Sequence, residues 1–235
     1  EPGDGSSSFL FNLRHSYLDQ TSKTLYSYVD TAGLPFAFTD LYGKLSFNGA
    51  NGSKFNVFGF NFSDAVNYQG VSDLGWNNFG AGTNFVLVPA GSSVLIDGVF
   101  SYSNYNIELI EGDLPPRLSE IAGFNGGLNF KYFMGEDEAR YGVEVLGFRT
   151  NFEYYNSLGN KYQQQQNTSE IVGYFSYKKK FNKVLVEPGI HLHYYASLAV
   201  PSVEPRIGLK WNITDDLRFK GAAGMYSQNL VAANS

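Results

Sequence analysis

The sequence predicts an all-β protein: an antiparallel, up-and-down transmembrane β-barrel wall of about eleven strands. Three observations carry that prediction. Apolar and polar residues alternate with period two along nearly the whole chain, and helical periodicity is almost absent. The alternating runs are long, often about 12–16 residues, where roughly 5–6 is the usual strand length of a globular sheet. Charged residues make up 17% of the 235, against roughly 25% in an average soluble protein, while aromatic residues also reach 17%. Such a chain has too few charges to coat an ordinary aqueous surface.

In chain order, the first run, 8–18, leads into a long connection over 19–35. The second and third, 36–47 and 54–66, flank a Gly/Asn/Ser turn at 48–53, and Phe58, Phe60 and Phe62 read as an apolar face opposed to Gly59, Asn61 and Ser63. Runs four and five, 76–88 and 92–109, are parted by Pro89, Ala90 and Gly91. In run six, 118–133, Phe124, Leu128, Phe130 and Tyr132 alternate with Asn125, Gly127, Asn129 and Lys131. Run seven, 139–155, follows a short turn at 135–138. Runs eight and nine, 169–181 and 183–196, meet at Asn182, with Val184, Val186, Ile190 and Leu192 opposed to Glu187, Gly189, His191 and His193. Run ten, 203–212, sets Ile207, Leu209 and Trp211 against Arg206, Gly208 and Lys210, and run eleven, 216–227, repeats the pattern.

Connections alternate between short (48–53, 89–91, 135–138, 182, 213–215) and mostly longer ones (19–35, 67–75, 110–117, 156–168, 197–202), as in a meander with one plain and one elaborate end. The low-complexity run Gln163 to Gln166 falls in one of the longer connections and reads as mobile loop. Aromatic residues such as Tyr17, Trp76, Tyr102, Phe133, Tyr154, Phe181, Tyr194, Tyr195 and Trp211 cluster near strand ends. A soluble sandwich would also alternate, but long strands, aromatic ends and unequal connections describe an outer-membrane barrel, whose apolar face meets lipid. Hydrocarbon offers no hydrogen-bond partner, so such a sheet must close its ladders.

The net charge of −5 and the lack of a concentrated basic stripe argue against nucleic-acid binding, and Lys178, Lys179 and Lys180 read as the solvated end of a strand. With no cysteine, disulfide frameworks and thiolate sites are excluded. No apolar stretch approaches the roughly 20 residues of a membrane-spanning helix. Residues Glu1 to Gly5 lack the features of a signal peptide, so a removed signal or a start within a larger protein is expected. An even-stranded barrel has both termini on the periplasmic side. Eleven strands leave one unpaired crossing, so the remaining strands are expected from other sequence.

Two stretches carry more specific motifs. One is the run from Phe38 through Thr39, Asp40, Leu41, Tyr42 and Gly43 to Phe47. The other is Glu204-Pro205-Arg206-Ile207-Gly208-Leu209-Lys210, followed by Gly224-Met225-Tyr226-Ser227-Gln228. Both resemble mid-barrel segments of TonB-dependent outer-membrane transporters, particularly those of Bacteroidota. The resemblance implies that residues 1–235 are roughly half of a 22-strand barrel segment, with plug domain and C-terminal strands absent from this chain. It further implies ligand capture at the cell surface and import driven through TonB, with lipid and a surface lipoprotein or other outer-membrane subunits as partners. The alternatives are a passive channel, a structural barrel subunit of a larger complex, and a soluble carbohydrate-binding sandwich.

The ligand itself is not legible. Candidate lumen-facing residues are His191, His193, Glu187, Arg206 and Lys210, joined in a mixed-sign set by Glu204, Arg218 and Lys220. His191 and His193, with Tyr195 on the same face, have the i, i+2 spacing that lets two imidazoles reach one metal or haem, but no third ligand can be assigned and solvated lumen residues are the simpler reading. Pro188 and Pro205 require a bulge or a sheet rim. No catalytic arrangement is present: His15 stands alone, no serine has the Gly-x-Ser-x-Gly setting, Gly80-Ala81-Gly82 opens no helix, and Glu136-Asp137-Glu138 reads as solvated turn charge. The chain is expected to be neither an enzyme nor cofactor-dependent.

Overall fold

The computed structural model describes residues 6–25, 28, 33–68 and 70–227. Eleven antiparallel strands form one sheet in strict chain order: β1 (Ser7–His15), β2 (Phe36–Asn48), β3 (Lys54–Tyr68), β4 (Ser72–Leu87), β5 (Val94–Glu111), β6 (Arg117–Met134), β7 (Asp137–Tyr155), β8 (Lys161–Phe181), β9 (Val184–Tyr195), β10 (Val200–Asn212) and β11 (Arg218–Gly224). This is the up-and-down meander that the alternation predicts. One helix, α1 (Leu18–Leu25), interrupts it within the 19–35 connection. Ser16 caps it, its Oγ accepting the Leu18 amide at 3.2 Å. The buried Ser22 takes the Leu34 amide at 2.7 Å, tying the returning chain to the helix.

Registry assigns every side chain to one of two faces, because directly opposed residues share a face. The outer face carries Phe100, Tyr102, Phe124, Leu128, Val143, Ile171, Phe175, Ile190, Leu192, Ile207 and Leu209 across β5 to β10. Its large side chains stand exposed, Phe100 at 51% and Leu192 at 51%. The inner face carries Asp97, Ser101, Asn125, Asn129, Lys131, Arg140, Glu144, Tyr174, His191 and Glu204. It is the concave side, where side chains two strands apart reach one another. Along β6 the outer apolar run from Ala122 to Tyr132 covers ten steps, roughly 33 Å. At the usual strand tilt that is roughly 25 Å of height, the depth of a bilayer's apolar zone.

Registry corrects one face assignment. Phe58, Phe60 and Phe62 lie opposite Lys44, Tyr42 and Asp40, and opposite Gly82, Gly80 and Asn78, so they belong to the inner face. The sequence misleads there because β3 is apolar on both faces at membrane depth, with Phe55 and Val57 facing outward. The rings of Phe58 and Phe60 lie over Gly82 and Gly80, and Phe60 stacks on Phe62 at 4.9 Å. The same arrangement, an aromatic ring laid over the glycine directly opposite, recurs as Phe85 over Gly98, Phe100 over Gly126, Phe124 over Gly147 and Tyr174 over Gly142. Trp76, Phe133, Tyr154 and Tyr195 also face inward, while Tyr132, Tyr177 and Trp211 mark the short-turn rim of the outer face.

The two ends differ by strand extension more than by loop length. The residues expected in connections 67–75 and 156–168 are mostly strand: β3 runs to Tyr68, β4 starts at Ser72, and β8 starts at Lys161, so Gln163 to Gln166 are paired with β7. Tight turns at the opposite end use left-handed residues, Gly135 (φ 67) and Asn182 (φ 50). No bulge marks either proline. The β9–β10 register is continuous through Pro188 and Pro205. Instead the β8–β9 ladder skips Tyr177 and Lys178 opposite Pro188 and Glu187, and β11 leaves the sheet just past Arg206 and Gly224. Each proline therefore stands where the ladder is already interrupted.

Candidate functional site on the inner wall

At membrane depth the inner face of β5 to β10 holds a continuous polar chain. Asn129 donates to Asp97 at 2.9 Å, and the Tyr174 phenol donates to Asn129 at 2.6 Å. That second bond crosses the whole of β7. Gly142 makes it possible, since a Cβ there would sit 2.6 Å from the Asn129 Oδ1 and 2.7 Å from the Leu128 carbonyl. Tyr174 stacks on His191 at 5.3 Å, whose Nε2 accepts from Arg206 at 3.2 Å. Arg206 also donates to Glu204 at 2.6 Å. His193 stands between two carboxylates, its Nδ1 2.7 Å from Glu170 and its Nε2 3.4 Å from Glu204. The second contact is not aligned as a hydrogen bond, and among the described residues Nε2 has no hydrogen-bond partner. The His191, His193 and Tyr195 rings form one stacked row.

Glu204 is 1% exposed, the largest side chain among the described residues that is so fully buried. Burial of a carboxylate is costly without partners, and here there are several. Beyond Arg206 and His193, its Oε1 accepts the Ser227 amide at 2.7 Å and the Ser227 hydroxyl. Arg206 lies 4.6 Å over the Tyr226 ring, and the Met225 amide donates to the Pro205 carbonyl at 3.0 Å. The stretch Glu204 to Arg206 and the stretch Met225 to Ser227 are thus one device that pins the chain leaving β11 against the inner wall. Gln228 lies outside the described residues.

The other candidates separate from this cluster. Glu187 lies 3.9 Å from Arg140, in a network where buried Glu138 meets Arg140, Lys131 (3.3 Å) and Lys178 (4.0 Å). Lys210 is opposed by Lys220, and Arg218 by Asn212; among the described residues none of the three cations has an ion-pair partner. The mixed-sign set is therefore two networks and an unpaired basic edge. The charges expected to be merely solvated are matched across β7 and β8, Lys179 to Asp137 at 2.5 Å and Lys180 to Glu136. Among the described residues no cluster of three or more His, Asp or Glu is arranged to hold a metal ion.

At the long end the two faces exchange character. The outer face becomes polar beyond the apolar band: Asn104 donates to Glu120 at 2.6 Å, Arg149 lies 3.5 Å from the same carboxylate, and Gln163 donates to Asn151 at 3.1 Å. Lys161, 2.7 Å from Glu153, has its ammonium held above the ordinary lysine range by that carboxylate. The inner face there is mainly aromatic instead, with Trp76, Tyr105, Ile107, Phe148, Phe152, Tyr154 and Tyr162, and the uncharged Thr150, Gln164, Gln166 and Thr168 lie among them. Tyr154 stacks on Tyr162 at 5.2 Å and meets Phe152 at 5.5 Å. Arg117 and Glu111 also face inward and pair with each other at 3.2 Å. This inversion escaped the sequence reading because periodicity stays two throughout while only the identity of the apolar face changes.

No family model and no curated protein matches the sequence. Among solved structures, the fold is similar to the outer membrane transporter YddB from Escherichia coli, with a TM-score of 0.59 and 11% identity over 77% of this chain. Looser matches are the β domain of the Bordetella autotransporter Brka (TM-score 0.36, 15% identity, 80% of this chain and 85% of that one) and the translocator domain of the autotransporter NalP from Neisseria meningitidis (TM-score 0.36, 11% identity, 80% and 76%). This chain spans 30% of the length of YddB. The likeness establishes the fold as that of a bacterial outer-membrane β-barrel wall.

Proposed function

We propose that this chain is part of the barrel wall of a TonB-dependent outer-membrane transporter, a transport protein rather than an enzyme. The short turns face the periplasm and the extended hairpins face the medium. The observation that carries the reading is the aromatic inner face of those hairpins: above the lipid, an apolar surface turned inward has no lipid to cover it, and it lies where an incoming ligand would pass. Outside the single pair Arg117–Glu111, the inner face of the β5–β8 extension is free of charge among the described residues, whereas its outer face carries Glu108, Glu120, Arg149, Glu153 and Lys161. That sorting favours an uncharged ligand surface. The resemblance of the Glu204–Lys210 and Gly224–Gln228 stretches to TonB-dependent transporters supports active import, and the fold shared with YddB, an outer membrane transporter, is compatible with a transport role.

The exposed edges at β1 and β11 would be paired by further barrel strands, and a plug within the lumen would couple to TonB; a surface lipoprotein is a further candidate partner. The test is growth on, or accumulation of, a supplied ligand by cells carrying the full-length protein, with and without TonB. Active import predicts that loss of TonB abolishes accumulation while surface binding persists, and that Phe152→Ala with Tyr162→Ala weakens binding. Accumulation that continues without TonB would assign the barrel to passive conduction.

A further inference from the structure

Within the outer apolar band, β3 to β7 frame an open trough of about 820 Å³, inside the range of roughly 300–1,000 Å³ typical of ligand pockets. Its form follows from the glycine pairs. The rings of Phe100 and Phe124 lie over Gly126 and Gly147, and Ala81 leaves the third side low. Val57 and Val145 close the two ends. Thr83 also lines the trough, but its hydroxyl donates to the Asn56 carbonyl at 2.8 Å, so its methyl is what an occupant meets.

We infer that this trough seats the acyl chain of a membrane lipid and holds it longer than the surrounding lipid is held. An acyl chain fits because no charged side chain lines the trough, and because its lining belongs to the outer apolar band that faces lipid. A smaller depression of about 430 Å³ lies on the same band where Gly173 leaves a gap between Tyr141, Phe175 and Ile190, about half the volume of the trough. The assignment rests on the membrane placement of the sheet and is independent of transport.

The test uses the intact protein in phosphatidylcholine nanodiscs containing spin-labelled phosphatidylcholine, with electron paramagnetic resonance reading the motionally restricted lipids per protein. Ala81→Leu fills the trough and is expected to remove about one to two restricted lipids, while Ala139→Leu, on the same face outside the trough, leaves the number unchanged. Val57→Phe serves as a second filling variant should Ala81→Leu fail to fold, folding being read from heat-modifiable gel mobility. Equal restricted fractions in wild type and a folded filling variant would overturn the assignment. So would a filling variant that converts an oligomer to a monomer, since that outcome gives the trough to a protein neighbour.

Discussion

Glu204 shows how a buried carboxylate can be the most consequential residue of a wall that is otherwise open to solvent and lipid. It joins Arg206, His193 and Ser227 at once. Glu204→Ala leaves Arg206 and the Ser227 amide without their acceptor and is expected to cost about 3 kcal/mol, within the range for breaking a buried pair. Glu204→Gln, which keeps an acceptor for Ser227, should lose less. Denaturant titration of the reconstituted barrel, followed by tryptophan fluorescence from Trp76 and Trp211, checks both. Gly142→Ala places a methyl into the space the Tyr174–Asn129 bond occupies, and a cost of roughly 1–3 kcal/mol is expected by the same measurement. That His191, His193 and Arg206 face inward was legible from alternation alone. Their partners were not, since Glu170, Tyr174 and Ser227 reach them by register and by the curvature of the sheet, neither of which is written in local spacing.

At the scale of elements, every strand but β8 was legible to within about four residues, because period-two alternation and turn residues are local signals. The failures are instructive. Gln163 to Gln166 read as loop because both faces of β8 are polar there, yet pairing with Asn151, Phe152, Glu153 and Thr150 holds them in the ladder. α1 escaped because a helix of eight residues has too little pattern to register. Pro188 offers a test at this scale. Its missing donor coincides with the gap between β8 and β9, so Pro188→Val should close the ladder opposite Tyr177, stabilising the barrel by up to about 1 kcal/mol. Hydrogen exchange should show slower exchange at position 188's neighbours on β8 and β9 than in the wild type.

For the whole molecule, the decisive property is which face meets lipid at each height. Phe100 and Ser101 are adjacent in sequence and on opposite faces at membrane depth. Phe100→Lys should cost about 2–4 kcal/mol if its face lies in hydrocarbon, and Ser101→Lys much less. The native chain has no cysteine, so a single Ser101→Cys or Leu128→Cys replacement reports accessibility cleanly. A membrane-impermeant maleimide is expected to label the first and spare the second in folded barrels. Composition and alternation made the lipid band legible; the exchange of faces above it, and the inward turn of Phe58, Phe60 and Phe62, required register.

The β7–β8 hairpin continues for eight strand steps past the last aliphatic outward position on β7, Gly147, and the six steps from Arg149 to Tyr155 are roughly 20 Å of hydrogen-bonded ladder. That arm is sheet and not slack loop, so in the proposed orientation, with the long end toward the medium, antibodies or phage tail fibres would meet one fixed shape there, with Arg149, Asn151 and Glu153 on its outward side and the aromatic row behind them.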